Sequence, residues 1–549
     1  MVGPSRTMLG LGVTAAVVAV AVLAISCQTP LDWTALDERT VEQNLAALAT
    51  AEDAYLSKLA ASSVSAAAES ALLNLLCQPG VDTATISPDS TVWAIFENGL
   101  VAGICEQTFA TAAGGRQPVR NLTPAMVIQS GGAVGPGPRI FAPFADELLG
   151  TALETYDVWE MCRRCYVLRD AEFWTNAAVT VQRVKAQLQD ARSLFFWTGH
   201  GCLVSPFPGS PPCAALLTGR SYSQREMASA IAGELKADAQ SGQQGPRIAF
   251  AAHGRRFYPA ILPAFIRTYG RFENSEPYWK TVAYITACFS AYQTNPELEQ
   301  AFHDAGADLF CGYDWAVHEM FAYHLDTTFV GALADTCLPL EALARVDCVT
   351  DPDPAFGRNA SFKISGDTLV MLRHVLDARR DGVHFRAGAV VATGGEQANI
   401  QGAVIRKEDS IPMGQITVIC PGAVGSYDIQ TCDGAALFFL DERESRVYTA
   451  TRGYVGTGGS IEISQCGDDI IAGGFSGILG FWNPGLIPTR DQPTAVITLA
   501  DGHIKHTGWR VNSKTFHDPS LIKRAPCRLT TPRAGLYPGD SGPVCAKPY

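Results

Sequence analysis

A β-branched apolar run within Thr281–Tyr292 (TVAYITACFSAY) stops abruptly at Ala287 and Cys288, a pattern that predicts a buried strand delivering a cysteine at its carboxyl end. An earlier run, Ser193–Gly201 (SLFFWTGHG), carries apolar residues straight into His200. Two parallel strands built from these runs would hold a thiol and an imidazole side by side, which is a cysteine-nucleophile constellation. Taken singly, each residue has a plainer reading. A free cysteine is most often a buried small hydrophobe, and a histidine at a strand end is most often hydrogen-bonded without chemistry. Only the paired contexts point to catalysis.

The chain of 549 residues exceeds one core, and 47% hydrophobic with 17% charged residues describes folded domains, two or three of them. The net charge of −12 is spread over short segments without a basic stripe, so a nucleic-acid partner has no electrostatic footprint. No cofactor is expected, and no metal. Cys162 and Cys165 form a CxxC, but without a second CxxC at zinc-finger spacing they read as disulfide partners or shielded thiols.

The amino terminus points to export. Arg6 precedes an apolar stretch, Leu9–Ile25, which Ser26-Cys27 closes. This resembles a bacterial lipoprotein signal, which implies cleavage before Cys27 and a lipid thioether on its sulfur, although Ala24 stands where leucine is most typical. A plain signal peptide or an uncleaved anchor is the alternative. Either places the body outside the cytoplasm, as a cell-envelope lipoprotein facing the periplasm or the surface. In that compartment the sixteen cysteines, less Cys27 and Cys288, leave fourteen for disulfides. Cys202 with Cys213, Cys337 with Cys348, and Cys527 with Cys545 suggest themselves as local pairs.

The expected architecture has four parts: a signal peptide over residues 1–27, a helical and β-hairpin amino-terminal module over 28–135, an α/β domain with a mainly parallel sheet over 136–350, and a β-rich domain over 366–549. In the first module, helical spacing over 34–76 ends at Pro79-Gly80, and residues 81–104 alternate around turns at 88–90 and Asn98-Gly99. GGAVGPGP at 131–138 marks a boundary. Strand and helix then alternate: RIFAPF at 139–144, a helix at 145–156, CYVLRD at 165–170, a helix at 176–190, SLFFWTG at 193–199, a helix within 218–235, TVAYITAC at 281–288, a helix at 297–306, ADLFCGYDW at 307–315 and a helix at 318–333. A linker at 351–361 and a helix at 368–380 precede short β-rich runs that predict a sandwich or barrel.

Strand-then-HG at His200-Gly201, followed by strand-then-AC at Ala287-Cys288 and the later Ala305-Gly306-Ala307 and Gly312-Tyr313-Asp314-Trp315, resembles the caspase-like clan of cysteine peptidases, which includes caspases, gingipains and CHAT domains. The resemblance covers roughly residues 139–346. It implies peptide-bond hydrolysis of a protein or peptide substrate, with Cys288 attacking the scissile carbonyl, His200 protonating the leaving amine, and the backbone N–H groups of Gly201 and Cys288 holding the oxyanion. It also implies a pocket for one substrate residue, with Asp314 and Trp315 in the loop where this fold builds it. The 88 residues between His200 and Cys288 are longer than the family usually shows. The insert carries RIAFAAHG at 247–254, so His253 is the second choice of base. Pro259 and Pro263 forbid an uninterrupted helix behind it, and a hairpin turning at HGRR is the reading preferred.

Two other classes stay open. One is a catalytically silent caspase-like scaffold or binding lipoprotein, because the clan includes such members. The other is a serine protease using Ser541 in PGDSGPV at 538–544, but no TAAHC-like strand precedes that serine, and the run reads equally as a Gly/Asp/Pro turn.

Overall fold

The computed structural model describes residues 36–106, 137–164, 171–189, 193–240, 245–272, 280–335, 337–371, 375–381, 383–393, 397–406, 412–441, 446–450, 457–466, 470–481, 493 and 495–507. The expected signal sequence with Cys27, the strand expected at 165–170 with Cys165, Ser541, and the expected pair of Cys527 with Cys545 lie outside these residues. Among the described residues no helix is long and apolar enough to cross a membrane.

Two helices open the chain, α1 (Glu38–Leu59) and α2 (Val64–Leu76). Each is started by an oxygen that accepts a first-turn amide: Asp37 takes the N–H of Thr40 and Ser63 that of Ala66. The strands β1 (Val81–Ile86), β2 (Val92–Phe96) and β3 (Val101–Ile104) follow as an antiparallel meander. Its turns fall where the sequence puts them, with Ser90 and Gly99 at positive φ.

The α/β region continues with β4 (Arg139–Ala142), α3 (Leu149–Arg164), β5 (Glu172–Thr175), α4 (Val181–Leu188), β6 (Leu194–Thr198), β7 (Gly201–Val204), β8 (Cys213–Leu217), α5 (Gln224–Ala232) and the short α6 (Lys236–Ala239). After these come β9 (Ile248–His253), β10 (Arg256–Ile261), α7 (Pro263–Tyr269), β11 (Val282–Thr286), α8 (Glu297–Asp304), β12 (Leu309–Tyr313), α9 (Glu319–Ala334), α10 (Pro339–Leu343) and β13 (Phe362–Gly366).

These strands form two sheets. The first has the order β13-β12-β11-β6-β4-β5 and is parallel except for β13, which pairs antiparallel with β12. Its central strands β6 and β11 are buried at every residue, because helices cover both faces; that is why their sequences read as continuous apolar runs. The second sheet, β1-β2-β3-β9-β10-β8-β7, is antiparallel except where β3 meets β9. The expectation of a mainly parallel α/β sheet is therefore corrected to a mixed arrangement. The short links after β7 and β9 permit only hairpins, since a parallel return needs a crossover of a dozen residues or more.

Residues 81–104, expected in a separate amino-terminal module, are strands of this second sheet. Its two edges meet: Asp89 accepts the N–H of Leu203 on β7 at 2.9 Å, and the Thr91 hydroxyl donates to the Leu203 carbonyl at 3.2 Å. Inside the curl lie Trp93, Cys105, Cys202, Cys213, Tyr258 and several alanines. The interval before Cys288 is long because it builds this sheet. At the other boundary, β13 extends the α/β unit to Gly366, past the expected limit at residue 350.

The carboxyl-terminal strands are β14 (Val375–Arg380), β15 (Val383–Thr393), β16 (Gln397–Arg406), β17 (Pro412–Pro421), β18 (Gly425–Asp428), β19 (Ala436–Asp441), β20 (Arg446–Ala450), β21 (Gly458–Cys466), β22 (Ile470–Phe481) and β23 (Ala495–Thr507). All pair antiparallel, and β14–β23, β23–β22 and β22–β20 contacts close the sheet on itself. The helix expected at 368–380 is corrected: Val375–Arg380 is a strand paired with both β15 and β23, where tertiary pairing overrides the local helical pattern.

No disulfide is formed among the twelve described cysteines. Val204, not Cys202, lies opposite Cys213, so that expected pair is offset along the hairpin. Cys337 is buried whereas Cys348 is exposed. Neither expected pair is formed.

The sheet closure can be tested at Asp89. Asp89→Ala leaves the Leu203 and Thr91 N–H groups without their acceptor, and is expected to cost about 2 kcal/mol in denaturant unfolding. Asp89→Asn keeps an acceptor and sheds a buried charge whose pKa burial pushes up to about 6, so it should cost less than half as much. Equal losses would contradict this account.

Candidate active site

Strands β6 and β11 are adjacent and parallel, with Leu194 opposite Val282 and Thr198 opposite Thr286. Both end level, and two residues beyond each end stand His200 and Cys288. They open onto one pocket, lined also by Leu148, Thr151, Glu154, Gly199, Val317, Glu319 and Ala322. The apolar runs thus bring thiol and imidazole together as the sequence predicts.

Local chemistry explains the short motifs around the pair. A β-carbon at Gly201 would overlap the Cys288 carbonyl oxygen and crowd the Ala287 side chain, so glycine after the histidine is a close-approach requirement. The same contact sets Gly201 and Cys288, the two expected oxyanion donors, beside each other. After Cys288 the chain reverses through Phe289 at φ 63, a left-handed conformation unusual for a bulky residue. The surrounding bonds hold it there: Phe289 N–H donates to the Trp315 carbonyl at 3.1 Å, Ser290 N–H to the Ala287 carbonyl at 3.2 Å, and the Ser290 hydroxyl to the Ile285 carbonyl at 2.8 Å.

His200 is buried and Cys288 is half-buried at the pocket. The Cys288 thiol donates to the Val317 carbonyl at 3.8 Å, and burial pushes its pKa up to about 11. Burial first, and the nearby His253 second, pull the His200 imidazole down to about 3. The His200 ring packs edge-on against Phe144 with centroids 4.6 Å apart. The resting pair is therefore a neutral thiol and a neutral imidazole.

Beneath the pair sits a carboxyl cluster that inspection of the sequence missed. The Thr198 hydroxyl donates to Glu154 at 2.6 Å, and the Thr286 hydroxyl bridges Glu154 at 3.0 Å and Asp326. Tyr284 and Tyr313 each donate a phenolic hydrogen to Asp326 at 2.6 Å. Desolvation, then the Asp326 charge, raises the pKa of Glu154 well above its usual range. One signal was readable: each apolar run carries a threonine two residues before its functional residue. Glu154 and Asp326 lie on α3 and α9 and carry no such mark.

The other expected site residues stand elsewhere. His253 ends β9 in the second sheet, opposite Arg256, with Gly254 and Arg255 turning at φ 54 and 61; the hairpin reading holds. Its Nδ1 lies 2.9 Å from Glu106, whose other oxygen accepts the Gly254 N–H at 2.8 Å. Beside it Glu52 is pushed up to about 8 by burial and by Glu106. His253 does not line the Cys288 pocket. Asp314 and Trp315, expected to shape the substrate pocket, do not line it either. Asp314 is buried and accepts the Ser361 N–H at 2.7 Å while pairing with Arg358 at 3.2 Å and Lys363 at 3.4 Å. The Trp315 indole donates to the Ala355 carbonyl at 2.7 Å. Both residues brace the loop behind the nucleophile; the helix starts after β4 and β12 line the pocket instead.

His318, Asp351 and Asp353 offer ligand atoms within 4.8 Å of one another, next to Val317. Asp351 is already engaged by the backbone N–H groups of His318 and Asp353 and by His318 Nδ1, as a carboxylate that holds a loop would be.

No known family model matches the chain, and no curated protein is significantly similar to it. Functional assignment therefore rests on the site.

The protonation state gives a measurable expectation. Alkylation of Cys288 by iodoacetamide should accelerate about tenfold per pH unit from pH 7 to 10, because only the thiolate reacts. A rate already level at pH 7 would mean an ion-paired thiolate and would contradict the neutral pair.

Proposed function

We propose that this chain is an exported, lipid-anchored cysteine endopeptidase of caspase-like type, with Cys288 as nucleophile and His200 as proton shuttle. The observation that carries the reading is the level ending of β6 and β11, with His200 and Cys288 facing one pocket. The chemistry is acyl transfer. As Sγ attacks the scissile carbonyl carbon, its proton passes to the imidazole; the tetrahedral oxyanion takes hydrogen bonds from the Gly201 and Cys288 amides; the imidazolium returns the proton to the amine as the C–N bond breaks. Water, deprotonated by the same imidazole, then hydrolyses the thioester. With a neutral resting pair, attack and proton transfer must be concerted. Anchoring through Cys27 and a protein or peptide substrate belong to the same proposal.

A second reading has its own observation. The thiol is protonated and bonded to the Val317 carbonyl, as it would be in a silent scaffold that keeps the fold and has lost turnover.

Substitutions separate the two. In the peptidase, His200→Ala and Cys288→Ala should each lower hydrolysis of a denatured protein by roughly a thousandfold or more, with the double variant scarcely worse, because members of one catalytic unit are not additive. His253→Ala should change turnover only as far as it changes stability. Undiminished activity in Cys288→Ala overturns the assignment, and absence of any activity in the folded wild type favours the scaffold.

A further inference from the structure

The curl of the second sheet is closed by side chains. Its outer strands β1 and β7 share no backbone ladder among the described residues; the bonds from Asp89 and Thr91 to Leu203 join the edges. Strand β7 is four residues long and pairs on one side only, with β8, so little backbone bonding fixes it. It begins at Gly201, which is set against the Cys288 carbonyl. The seam therefore bears on the candidate site.

Two cysteines meet behind that seam. Along β7, Cys202 and Val204 turn into the curl while Leu203 turns to the larger core. Along β3 and just past it, Val101 and Cys105 turn into the curl while Ala102 and Ile104 turn away. The two-residue period of a strand thus puts one cysteine from each side on the same interior face. The Cys105 N–H donates to the Ala252 carbonyl at 3.0 Å, which extends the β3–β9 pairing by one residue and fixes that position. Both cysteines are buried, and their side chains are hydrogen-bonded to each other. Cys213, the third cysteine of this interior, is worse placed. On the adjacent strand it lies opposite Val204, whereas Ala215 lies opposite Cys202. Such a diagonal offset separates α-carbons by roughly 7–8 Å, beyond the usual reach of a disulfide.

We propose that Cys105 and Cys202 are a disulfide-forming pair whose oxidation staples β7 to the end of β3 at the seam beside the candidate site. The oxidant is itself a disulfide, either glutathione disulfide or that of a thiol–disulfide oxidoreductase. Burial raises both thiols, but the hydrogen bond between them lowers Cys105 and raises Cys202, so Cys105 is the readier thiolate. Its sulfur attacks the reagent disulfide, breaking that S–S bond and releasing one thiol. Cys202 then attacks the Cys105 sulfur of the mixed disulfide and releases the second thiol. The two cysteine protons end on the two released thiols, and two electrons pass to the reagent. Access comes as the seam opens, or before it closes during folding. A bond between residues about a hundred positions apart closes a long loop in the unfolded chain, where a cross-link has most effect. Occurrence of the bond in the cell rests on the export reading; the pairing itself does not.

The experiment uses the full mature protein, purified in reductant and then equilibrated with glutathione disulfide in sub-denaturing urea. Remaining thiols are blocked with N-ethylmaleimide in denaturant, and the acidified protein is digested with pepsin and mapped without reduction. The peptides carrying Cys105 and Cys202 should be joined, two hydrogens lighter than their sum, with neither sulfur alkylated. In native buffer, oxidation should also slow alkylation of the buried Cys213 by roughly tenfold or more, because the staple suppresses opening of the curl. Cys105→Ala should abolish that slowing, with Cys202→Ala as the substitute if the first variant does not fold.

Cys202 joined to Cys213 in preference to Cys105 would overturn the inference. So would Cys105 and Cys202 both alkylated after glutathione has exchanged with the exposed Cys77 and Cys348, or a joined pair with no slowing at Cys213. Joined peptides in the glutathione-treated protein, with both thiols reduced in protein taken directly from cells that make it with its own amino terminus, would uphold the pair and contradict the export reading.

Discussion

Two threonine hydroxyls bonded to one buried carboxyl group hold the candidate site together. Thr198 and Thr286 face each other across β6 and β11, and both reach Glu154. Asp326, bonded by Tyr284 and Tyr313, closes the network from α9. The ends of two parallel strands are thereby fixed to the helices behind them, and the residues two positions further on are fixed with them. Buried carboxyls are costly unless every oxygen is satisfied. Here hydroxyl donors from three strands satisfy them, so loss of any one donor would loosen the pair of strand ends as well as the network.

The same burial that orders the site sets its chemistry. The thiol and the imidazole each hold to their neutral form, and among the described residues that line the pocket no lysine or arginine stands by to stabilise a thiolate at rest. On the proposed peptidase reading, attack would draw its driving force from the bound substrate, whose carbonyl oxygen would meet the Gly201 and Cys288 amides as charge develops. Such a site would react slowly with small oxidants and alkylators at neutral pH.

Much of this was legible in the sequence because central parallel strands cannot hide their periodicity. Five-residue runs buried on both faces, ending in a polar residue, announced β6 and β11 and hence His200 and Cys288. Turns at Ser90, Gly99 and Gly254 were legible for the opposite reason, as positions where backbone conformation selects the residue. The second sheet was not legible as a unit. Its strands come from residues 81–104 and 201–261, and nothing local in either stretch says that they pair. Asp314 and Trp315 illustrate a different failure: their place after β12 fits a pocket loop, but Arg358, Lys363 and Ser361 engage them from a segment with no recognisable motif. The strand at Val375–Arg380 was misread because a short amphipathic stretch fits a helix until its two neighbours in the closed sheet are known.

The account stands on covalent chemistry at one sulfur. Acid quenching of a single turnover with a protein or peptide substrate, followed by peptide mapping, would look for an acyl thioester on the peptide that carries Cys288. The account predicts an acyl group there, sensitive to hydroxylamine and absent from Cys288→Ala. Turnover with Cys288 unmodified at every quench time, and retained in Cys288→Ala, would contradict it.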